Sequence, residues 1–162
     1  MSGPTLHLLC GKIAAGKSTL SAELGAAQGT VTLAEDVWLA RLYSGEIRTG
    51  ANYVRCAARL REAMTPHVEA LLRVGLSVVL DFPANTRANR AWMRGIIDRT
   101  GVSHRLYYLD VPDEVCRARL QLRNAAGTHD FAASDAEYDA VTAYFVAPQP
   151  DEGFEVVHRR TA

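Results

Sequence analysis

Eight consecutive residues near the N-terminus, Gly11 to Ser18, have the types and the spacing that phosphate binding requires. They read Gly-Lys-Ile-Ala-Ala-Gly-Lys-Ser and match the pattern G-x-x-x-x-G-K-[S/T] at every fixed position. Glycines allow the backbone to curl so that successive amides point at one anion, and the N-terminus of a following helix adds positive potential. We expect Lys17 to reach the β- and γ-phosphates of a nucleotide and Ser18 to ligate Mg²⁺.

The predicted nucleotide contacts extend one residue beyond this pattern. They are Gly11, Lys12, Ile13, Ala14, Ala15, Gly16, Lys17, Ser18 and Thr19. Within the loop, we expect the side chain of Lys12 to be solvated rather than to act as a second phosphate ligand. A β-rich run precedes the loop and good helix formers follow it, which is the context that the mechanism needs. This context favours nucleotide binding over a chance match.

Acidic residues follow two of the predicted strands, at the end where an open parallel sheet binds its ligands. The second strand ends in Glu35-Asp36, and the third ends in Asp81. Phosphoryl transfer to an alcohol benefits from a carboxylate that orients the hydroxyl and accepts its proton, and we assign this role to Asp36. Alternatively, Asp36 caps the helix that follows, and Glu35 is an alternate base. Asp81 is predicted either to hold Mg²⁺ through water or to contact the substrate.

Two arginines, Arg119 and Arg123, lie four residues apart on one face of a late predicted helix. Like charges at this spacing repel each other unless an anion lies between them. The segment 119–133 is therefore predicted to form a short lid, whose closure excludes water and brings arginine to the transferring phosphoryl group. Arg123 is also a candidate nucleotide contact. The alternative is a solvated basic helix face.

Short β-rich runs alternate with helical stretches along the chain and would position these residues. The predicted strands cover residues 5–10, 30–35, 76–82, 105–111 and 154–158. The third is a continuous apolar run, which is typical of a strand that is buried on both faces of a parallel sheet. This alternation predicts an α/β fold, with a mostly parallel sheet and helices on both faces, in a single domain spanning residues 1–162.

Helix signals are strong between the predicted strands. Thr65-Pro66 is expected to restart a helix, with Thr65 as its cap and Pro66 in the first position, where the missing amide does no harm. Ser134 and Glu137 have the spacing of a capping box, and Thr86 is expected to cap a helix that runs to Gly101. Residues 37–74 form the predicted acceptor-side helical segment, in which Trp38 and Tyr53 either line the acceptor wall or pack in the core.

The composition excludes several classes of protein. The chain has 162 residues, with 18 Lys and Arg against 18 Asp and Glu. A formal net charge of zero gives no long-range attraction to nucleic acid or to an anionic membrane, so neither is a predicted partner. Three scattered cysteines without a C-x-x-C pair argue against a disulfide framework and a structural zinc site. No apolar stretch approaches the length of a membrane span, and the expected location is the cytoplasm.

Taken together, these residues resemble the small P-loop kinases, which include the zeta toxins, chloramphenicol phosphotransferase and the kinase domain of polynucleotide 5′-kinases. The likeness is strongest to the AAA_33-type ATP-dependent kinases of bacteria. It is carried by Gly11–Ser18, Ala34-Glu-Asp-Val-Trp38, Leu80-Asp81, Arg119 and Arg123-Asn124. The resemblance implies a P-loop NTPase fold of the nucleotide-kinase type, with five parallel strands in the order 2-3-1-4-5. It also implies ATP and Mg²⁺ as cofactors, Asp36 as the base, and Arg119 and Arg123 as lid residues.

The predicted function is transfer of the γ-phosphate of ATP to a hydroxyl group of a small-molecule acceptor. One alternative is phosphorylation of a nucleoside or of a polynucleotide 5′-hydroxyl, although zero net charge weighs against long nucleic acid. Another is a regulatory ATPase acting on a protein partner, which would need neither an acceptor base nor a lid. A GTPase is disfavoured, because the third strand ends without D-x-x-G and no N-K-x-D motif occurs. The oligomeric state is not specified by these patterns.

Overall fold

Strands and helices alternate along the chain in the computed structural model, which describes residues 3–127 and 133–161. The strands are β1 (Thr5–Cys10), β2 (Thr30–Ala34), β3 (Ser77–Asp81), β4 (Ser103–Asp110) and β5 (Val156–Arg160). The helices are α1 (Lys17–Gly25), α2 (Glu35–Leu42), α3 (Gly50–Arg73), α4 (Arg87–Thr100), α5 (Asp113–Ala126) and α6 (Asp135–Thr142), with a 3₁₀ turn at Pro150–Glu152. Every predicted strand is present, and the largest shift, of two residues, affects β4 and β5.

The five strands form one parallel sheet in the order β2-β3-β1-β4-β5. This order confirms the predicted P-loop NTPase fold. Because every strand runs in the same direction, their carboxyl ends meet at one edge of the sheet. The phosphate loop follows β1 at this edge, Asp81 ends β3, and α2 begins directly after β2.

Helices cover both faces of the sheet, as predicted. Side chains alternate between the two faces along each central strand. One face packs against α3 and α4, and the residues that meet there include Leu6, Leu8, Val78, Leu80, Leu60, Val68, Met93 and Ile96. The opposite face packs against α1, α5 and α6 through residues that include Leu9, Val79, Leu20, Leu120 and Tyr138. Among the described residues, no helix is long and apolar enough to cross a lipid bilayer.

The helix α3 is continuous, so the predicted break at Thr65-Pro66 is wrong. Its 24 residues include Pro66 in the interior. Thr65 does not cap a second helix, because its hydroxyl donates to the Arg61 carbonyl at 2.7 Å and accepts a hydrogen bond from Trp92 Nε1 at 2.8 Å. Proline removes one backbone donor, but the apolar face of α3 is buried on both sides of it. This tertiary packing keeps the helix intact.

Two predicted helix caps are confirmed. The Ser134 side chain accepts a hydrogen bond from the Glu137 amide, and the Glu137 carboxylate accepts one from the Ser134 amide, which together form the capping box. At the start of α4, the Thr86 hydroxyl accepts a hydrogen bond from the Asn89 amide at 3.1 Å. These local signals are satisfied within four residues, and no distant contact is needed to specify them.

Candidate active site

The phosphate loop connects the end of β1 to the start of α1. Ala14 and Gly16 adopt left-handed backbone conformations, with φ of 64° and 106°. A β-carbon added to Gly11 would lie 3.2 Å from the β-carbon of Ala15 and 3.3 Å from that of Leu109, so the turn leaves little room for a larger residue. The loop therefore has the curled backbone that its glycines predict.

Asn85, in the connection between β3 and α4, holds the first amide of the loop. Its side-chain oxygen accepts a hydrogen bond from the Gly11 amide at 2.9 Å. Its main-chain oxygen accepts another from the Val146 amide at 2.9 Å. The sequence motifs assigned no role to Asn85. A polar residue just beyond a strand end was the available signal, but its partner is 74 positions away in the chain.

Lys17, the first residue of α1, turns its ammonium group back into the loop. Its Nζ donates to the carbonyl oxygens of Gly11 at 2.5 Å and Lys12 at 2.9 Å. Burial lowers the pKa of Lys17, whereas the negative charges of Asp81 and Asp36 raise it. The lysine is thus held at the loop within electrostatic reach of both carboxylates, where it can exchange carbonyl oxygens for phosphate oxygens.

The other lysine of the loop is bonded to a different element. Lys12 Nζ lies 2.9 Å from Asp113 Oδ1 at the start of α5, and 5.6 Å from the centre of the Phe145 ring. We expected this side chain to be solvated, and the structure gives it an ion pair that is partly exposed. The carbonyl of Lys12 is the group that faces Lys17.

Asp36 and Asp81 converge at the strand ends from neighbouring elements. β2 and β3 are adjacent, with Ala34 opposite Asp81. Asp36 is exposed in the first turn of α2, and Ala34 occupies the capping position, so Asp36 does not have the alternative role of helix cap. Burial raises the pKa of Asp81, Lys17 and a hydrogen bond with Ser21 lower it, and the charge of Asp36 raises it. Lys17, Asp36 and Asp81 therefore interact as one electrostatic cluster.

Glu35, next to Asp36 in the chain, is buried, with 2% of its side chain exposed. Its Oε1 accepts a hydrogen bond from the Tyr53 hydroxyl at 2.5 Å, and its Oε2 lies 3.9 Å from a terminal nitrogen of Arg61. Burial raises the pKa of Glu35 to about 7, although the Tyr53 hydrogen bond and the Arg61 charge lower it. The sequence placed Tyr53 in the acceptor-side segment 37–74 but did not indicate its bond to Glu35, and Arg61 was not singled out.

Helix α5 brings Arg119 to the phosphate loop, where its Nη1 donates to the Ala15 carbonyl at 3.4 Å. Arg123, one turn further along, is half-buried, and its Nε has no hydrogen-bond partner among the described residues. Asn124 Nδ2 donates to the Ala133 carbonyl at 2.7 Å and so links two parts of the predicted lid 119–133. Residues 128–132 of that lid lie outside the described residues.

The oxygen donors at this edge of the sheet suit a magnesium nucleotide. The Ser18 hydroxyl is exposed in the first turn of α1, and the Asp81 carboxylate ends β3. Hard oxygen ligands of this kind are those that Mg²⁺ prefers, together with substrate phosphates and water. Within 3–127 and 133–161, no three His, Cys, Asp or Glu side chains are grouped to hold a metal by themselves. The residues present fit an ion that shares its ligands with a bound triphosphate.

The chain belongs to the AAA_33 family, described as an AAA domain, whose model matches residues 6–148. The matched region contains the phosphate loop, Asp36, Asp81, Arg119 and Arg123. The predicted family resemblance is therefore confirmed, and with it membership in a P-loop class whose loop binds nucleotides. No curated protein matches the chain significantly.

Several solved structures have the same fold. A candidate kinase from Chloroflexus aurantiacus J-10-fl superposes with a TM-score of 0.74 at 20% identity, covering 99% of this chain and 86% of that one. A sugar kinase from Janibacter sp. HTCC2649 gives 0.61 at 16% identity, covering 98% and 85%. The APS kinase CysC of Mycobacterium tuberculosis, solved with AMPPNP and APS, gives 0.56 at 17% identity, covering 98% and 90%. At these identities the likeness concerns the fold.

Proposed function

We propose that the protein transfers the γ-phosphate of ATP to a hydroxyl group of a small molecule. The observation that carries this proposal is that Asp36 and Asp81 lie at the adjacent carboxyl ends of β2 and β3, at the edge of the sheet where the phosphate loop and Lys17 follow β1. A nucleotide-dependent switch uses a phosphate loop and a metal ligand but has no need for a further exposed carboxylate beside them. A kinase needs such a carboxylate to orient the acceptor hydroxyl and to take its proton.

The donor side of the site would be formed by the loop and by Asp81. Loop amides and the N-terminus of α1 would bind the phosphates. Lys17 would exchange its bonds to the Gly11 and Lys12 carbonyls for bonds to β- and γ-phosphate oxygens. Ser18 and Asp81 would hold Mg²⁺, with Asp81 acting directly or through water. The bound magnesium nucleotide supplies the phosphoryl group and offsets part of its charge.

Asp36 is the proposed base for the acceptor hydroxyl. It is exposed and lies in the first turn of α2, where the helix dipole favours the ionised form of a carboxylate. An ionised carboxylate can accept the hydroxyl proton at neutral pH.

Arg119 is the first candidate for stabilising the charge of the transferring phosphoryl group. Its guanidinium lies against the loop, at the Ala15 carbonyl, so a short side-chain rearrangement would redirect it toward a bound phosphate. Arg123, in the same predicted lid segment 119–133, is the second candidate, because its Nε is buried and has no partner among the described residues. An arginine in this position can contribute a large part of the rate enhancement.

A small-molecule acceptor is supported by two of the structural neighbours, which are a sugar kinase and an APS kinase. In this chain, the segment 37–74 contains most of α2 and all of α3, and these helices would provide the wall against which the acceptor binds. The contacts of Glu35 with Tyr53 hold these two helices together beside Asp36.

The proposal is tested by incubating the purified protein with ATP, Mg²⁺ and a library of alcohol acceptors. ADP release identifies active compounds, and mass spectrometry of the product locates the added phosphate. We expect one or a few small molecules to gain a phosphate at a hydroxyl group. The Lys17→Ala variant, purified in parallel, controls for contaminating kinases.

The same experiment separates the alternative functions. Phosphorylation of 5′-hydroxyl oligonucleotides in preference to small molecules would identify a polynucleotide kinase. Binding of ATP with no phosphorylated product from the library or from a cell extract would contradict transfer to a small molecule. If hydrolysis then appeared only when a partner protein was added, the regulatory ATPase would be supported.

A further inference from the structure

Three side chains next to the proposed base form a polar cluster that the roles assigned above leave unused. We call Glu35, Tyr53 and Arg61 the Glu35 cluster. Glu35 begins α2, whereas Tyr53 and Arg61 lie in the first half of α3. The Glu35 side chain is 2% exposed and that of Arg61 is 25% exposed, so the cluster reaches solvent at Arg61. Asp36, the adjacent residue, is exposed.

Two atoms of the Glu35 cluster are buried without a hydrogen-bond partner among the described residues, Glu35 Oε2 and Arg61 Nε. The nearest terminal nitrogen of Arg61 is 3.9 Å from Glu35 Oε2, which is too long for a direct hydrogen bond. Leaving a buried charged group unpaired is costly, so such atoms call for a missing partner. Two hydrogen bonds of about 2.8 Å that meet at one oxygen at a near-tetrahedral angle span roughly 4.6 Å, so one oxygen can bridge these two groups once they move apart by less than about 1 Å.

The charges around this gap restrict the partner. The charges of Arg61, Asp36 and Asp81 all influence the ionisation of Glu35. Three carboxylates and one guanidinium therefore lie within electrostatic reach of one another around the gap. An anionic group cannot donate a hydrogen bond to Glu35 Oε2, and an ammonium group cannot accept one from Arg61. A neutral hydroxyl can donate to the carboxylate and accept from the guanidinium at the same time. The arrangement therefore favours a hydroxyl.

We propose that Glu35 and Arg61 bind a second, non-reacting hydroxyl of the acceptor, which makes the acceptor a neutral polyol. The inference rests on the proposed function, in which Asp36 accepts the proton of the reacting hydroxyl. Glu35 Oε2 accepts a hydrogen bond from the second hydroxyl, and Arg61 donates to it. Tyr53 orients the carboxylate through its bond to Oε1.

The surroundings of Arg61 support this role. Its guanidinium lies 5.8 Å from the centre of the Trp92 ring, and Trp92 is fixed by the hydrogen bond from its Nε1 to Thr65 Oγ1. Stacking on an aromatic face restrains a guanidinium but leaves its nitrogen atoms free to donate. Arg61 is thus placed to complete its hydrogen bonds with a ligand.

The experiment compares neutral polyols with their deoxy derivatives in the wild type and in Glu35→Gln. The first panel contains glycerol, myo-inositol, ribose and glucose, together with ethanol and 3-phosphoglycerate as monohydric and anionic acceptors. For the best polyol, each hydroxyl that is not phosphorylated is removed in turn. ADP release at pH 8, above the Glu35 pKa of about 7, gives kcat and KM, and mass spectrometry identifies the phosphorylated position.

We expect removal of one non-reacting hydroxyl to raise the acceptor KM of the wild type by about 10- to 100-fold, as for a hydrogen bond to a charged group. In Glu35→Gln the same removal should raise the acceptor KM by less than threefold, because the substitution has already weakened the hydrogen bond that the removed hydroxyl makes. This non-additivity identifies a direct interaction, which a general loss of structure would not produce.

Two controls keep the result interpretable. Glu69, a buried residue of α3 that pairs with Arg73 and Arg99, supplies the first control. Glu69→Gln removes a buried carboxylate outside the Glu35 cluster, so it should leave the acceptor KM and the deoxy effect unchanged. Arg61→Met removes the second member of the proposed pair and provides an independent test if Glu35→Gln does not fold. The ATP affinity of each variant should match the wild type.

Three outcomes would overturn the inference. Preferred phosphorylation of the anionic or the monohydric acceptor would contradict a polyol while leaving the proposed function intact. If removing the hydroxyl raised the acceptor KM equally in the wild type, Glu35→Gln and Arg61→Met, the hydroxyl would bind neither side chain. If ATP binds but no alcohol is phosphorylated by any variant, the proposed function fails first, and the absence of product in the wild type distinguishes this case.

Discussion

The proposed donor and acceptor sides of the candidate site are built in different ways. On the donor side, the phosphate loop uses consecutive residues and main-chain amides, and its groups are bonded to one another, as Lys17 is to the carbonyl of Gly11. On the acceptor side, the Glu35 cluster uses side chains from α2 and α3, and two of its buried polar atoms have no partner among the described residues.

This difference relates to what each side must recognise. The triphosphate group of the nucleotide is the same whichever acceptor is phosphorylated, so one loop that binds it through backbone amides suits proteins with different acceptors. The solved structures of the same fold include a sugar kinase and an APS kinase, so acceptors differ between proteins of this fold. Side chains are the part of the chain that can vary without altering the fold. The following predictions test the contrast, beginning with the largest expected effect.

Asp36→Asn should lower kcat by about 100- to 10,000-fold, because the amide cannot accept the hydroxyl proton. The dissociation constant of ATP should change by less than threefold, since the substitution lies outside the phosphate loop. Initial rates and calorimetry measure the two quantities. Asp98→Asn, an exposed carboxylate paired with Arg94 on α4, is the matched control and should behave as the wild type. Full transfer by Asp36→Asn would show that Asp36 is not the base.

Lys17→Ala should weaken ATP binding by about 100-fold, because hydrogen bonds from a charged donor to phosphate oxygens are lost. The chain contains one other lysine, Lys12, whose side chain is paired with Asp113. Lys12→Ala should therefore change the ATP affinity by less than fivefold. Calorimetry with ATP and Mg²⁺ compares the two variants, and equal losses would refute the different roles of the two side chains.

Glu35→Gln should flatten the dependence of stability on pH. The pKa of Glu35 is raised from 4.5 to about 7 in the folded protein, mainly by burial, although Tyr53 and Arg61 lower it and Asp36 and Asp81 raise it. As the pH rises from 4.5 to 7, the unfolded state releases the proton before the folded state does. The wild type therefore loses on the order of 3 kcal/mol of stability across this window.

Urea unfolding at pH 5 and pH 8 measures this effect. The free energy of unfolding should fall less in Glu35→Gln than in the wild type, because the amide does not ionise. Glu69→Gln, which replaces a buried carboxylate of α3, again serves as the matched control for Glu35→Gln. Equal changes with pH in the wild type and in Glu35→Gln would contradict the raised pKa.

Asn85 offers a smaller test on the donor side. Asn85→Ala leaves the Gly11 amide without its acceptor and should lower stability by about 1–3 kcal/mol. Asn85→Asp keeps an acceptor but places a negative charge beside the phosphates, so it should weaken ATP binding by about tenfold. Thermal unfolding and ATP titration give the two readouts. Unchanged ATP affinity in Asn85→Asp would show that Asn85 does not influence the bound phosphates.

Much of the fold follows from local patterns. The apolar run of β3 predicts a central strand, and Thr86 and Ser134 predict helix starts that the structure contains. The continuous α3 was not predictable in this way. Local chemistry favours a break at Pro66, and burial of the helix on both sides of the proline outweighs the lost hydrogen bond.

The sequence by itself determined the phosphate loop, because a loop that acts through consecutive amides depends on residues that are neighbours in the chain. It also placed Asp36 and Asp81 at strand ends, because parallel strands bring their carboxyl ends to one edge. Only the tertiary structure decided that Glu35 meets Tyr53 and that Asn85 holds Gly11. Such contacts join residues far apart in the chain. The near-neutral pKa of Glu35 arises from exclusion of water by the surrounding elements, and the residue type alone does not determine how far water is excluded.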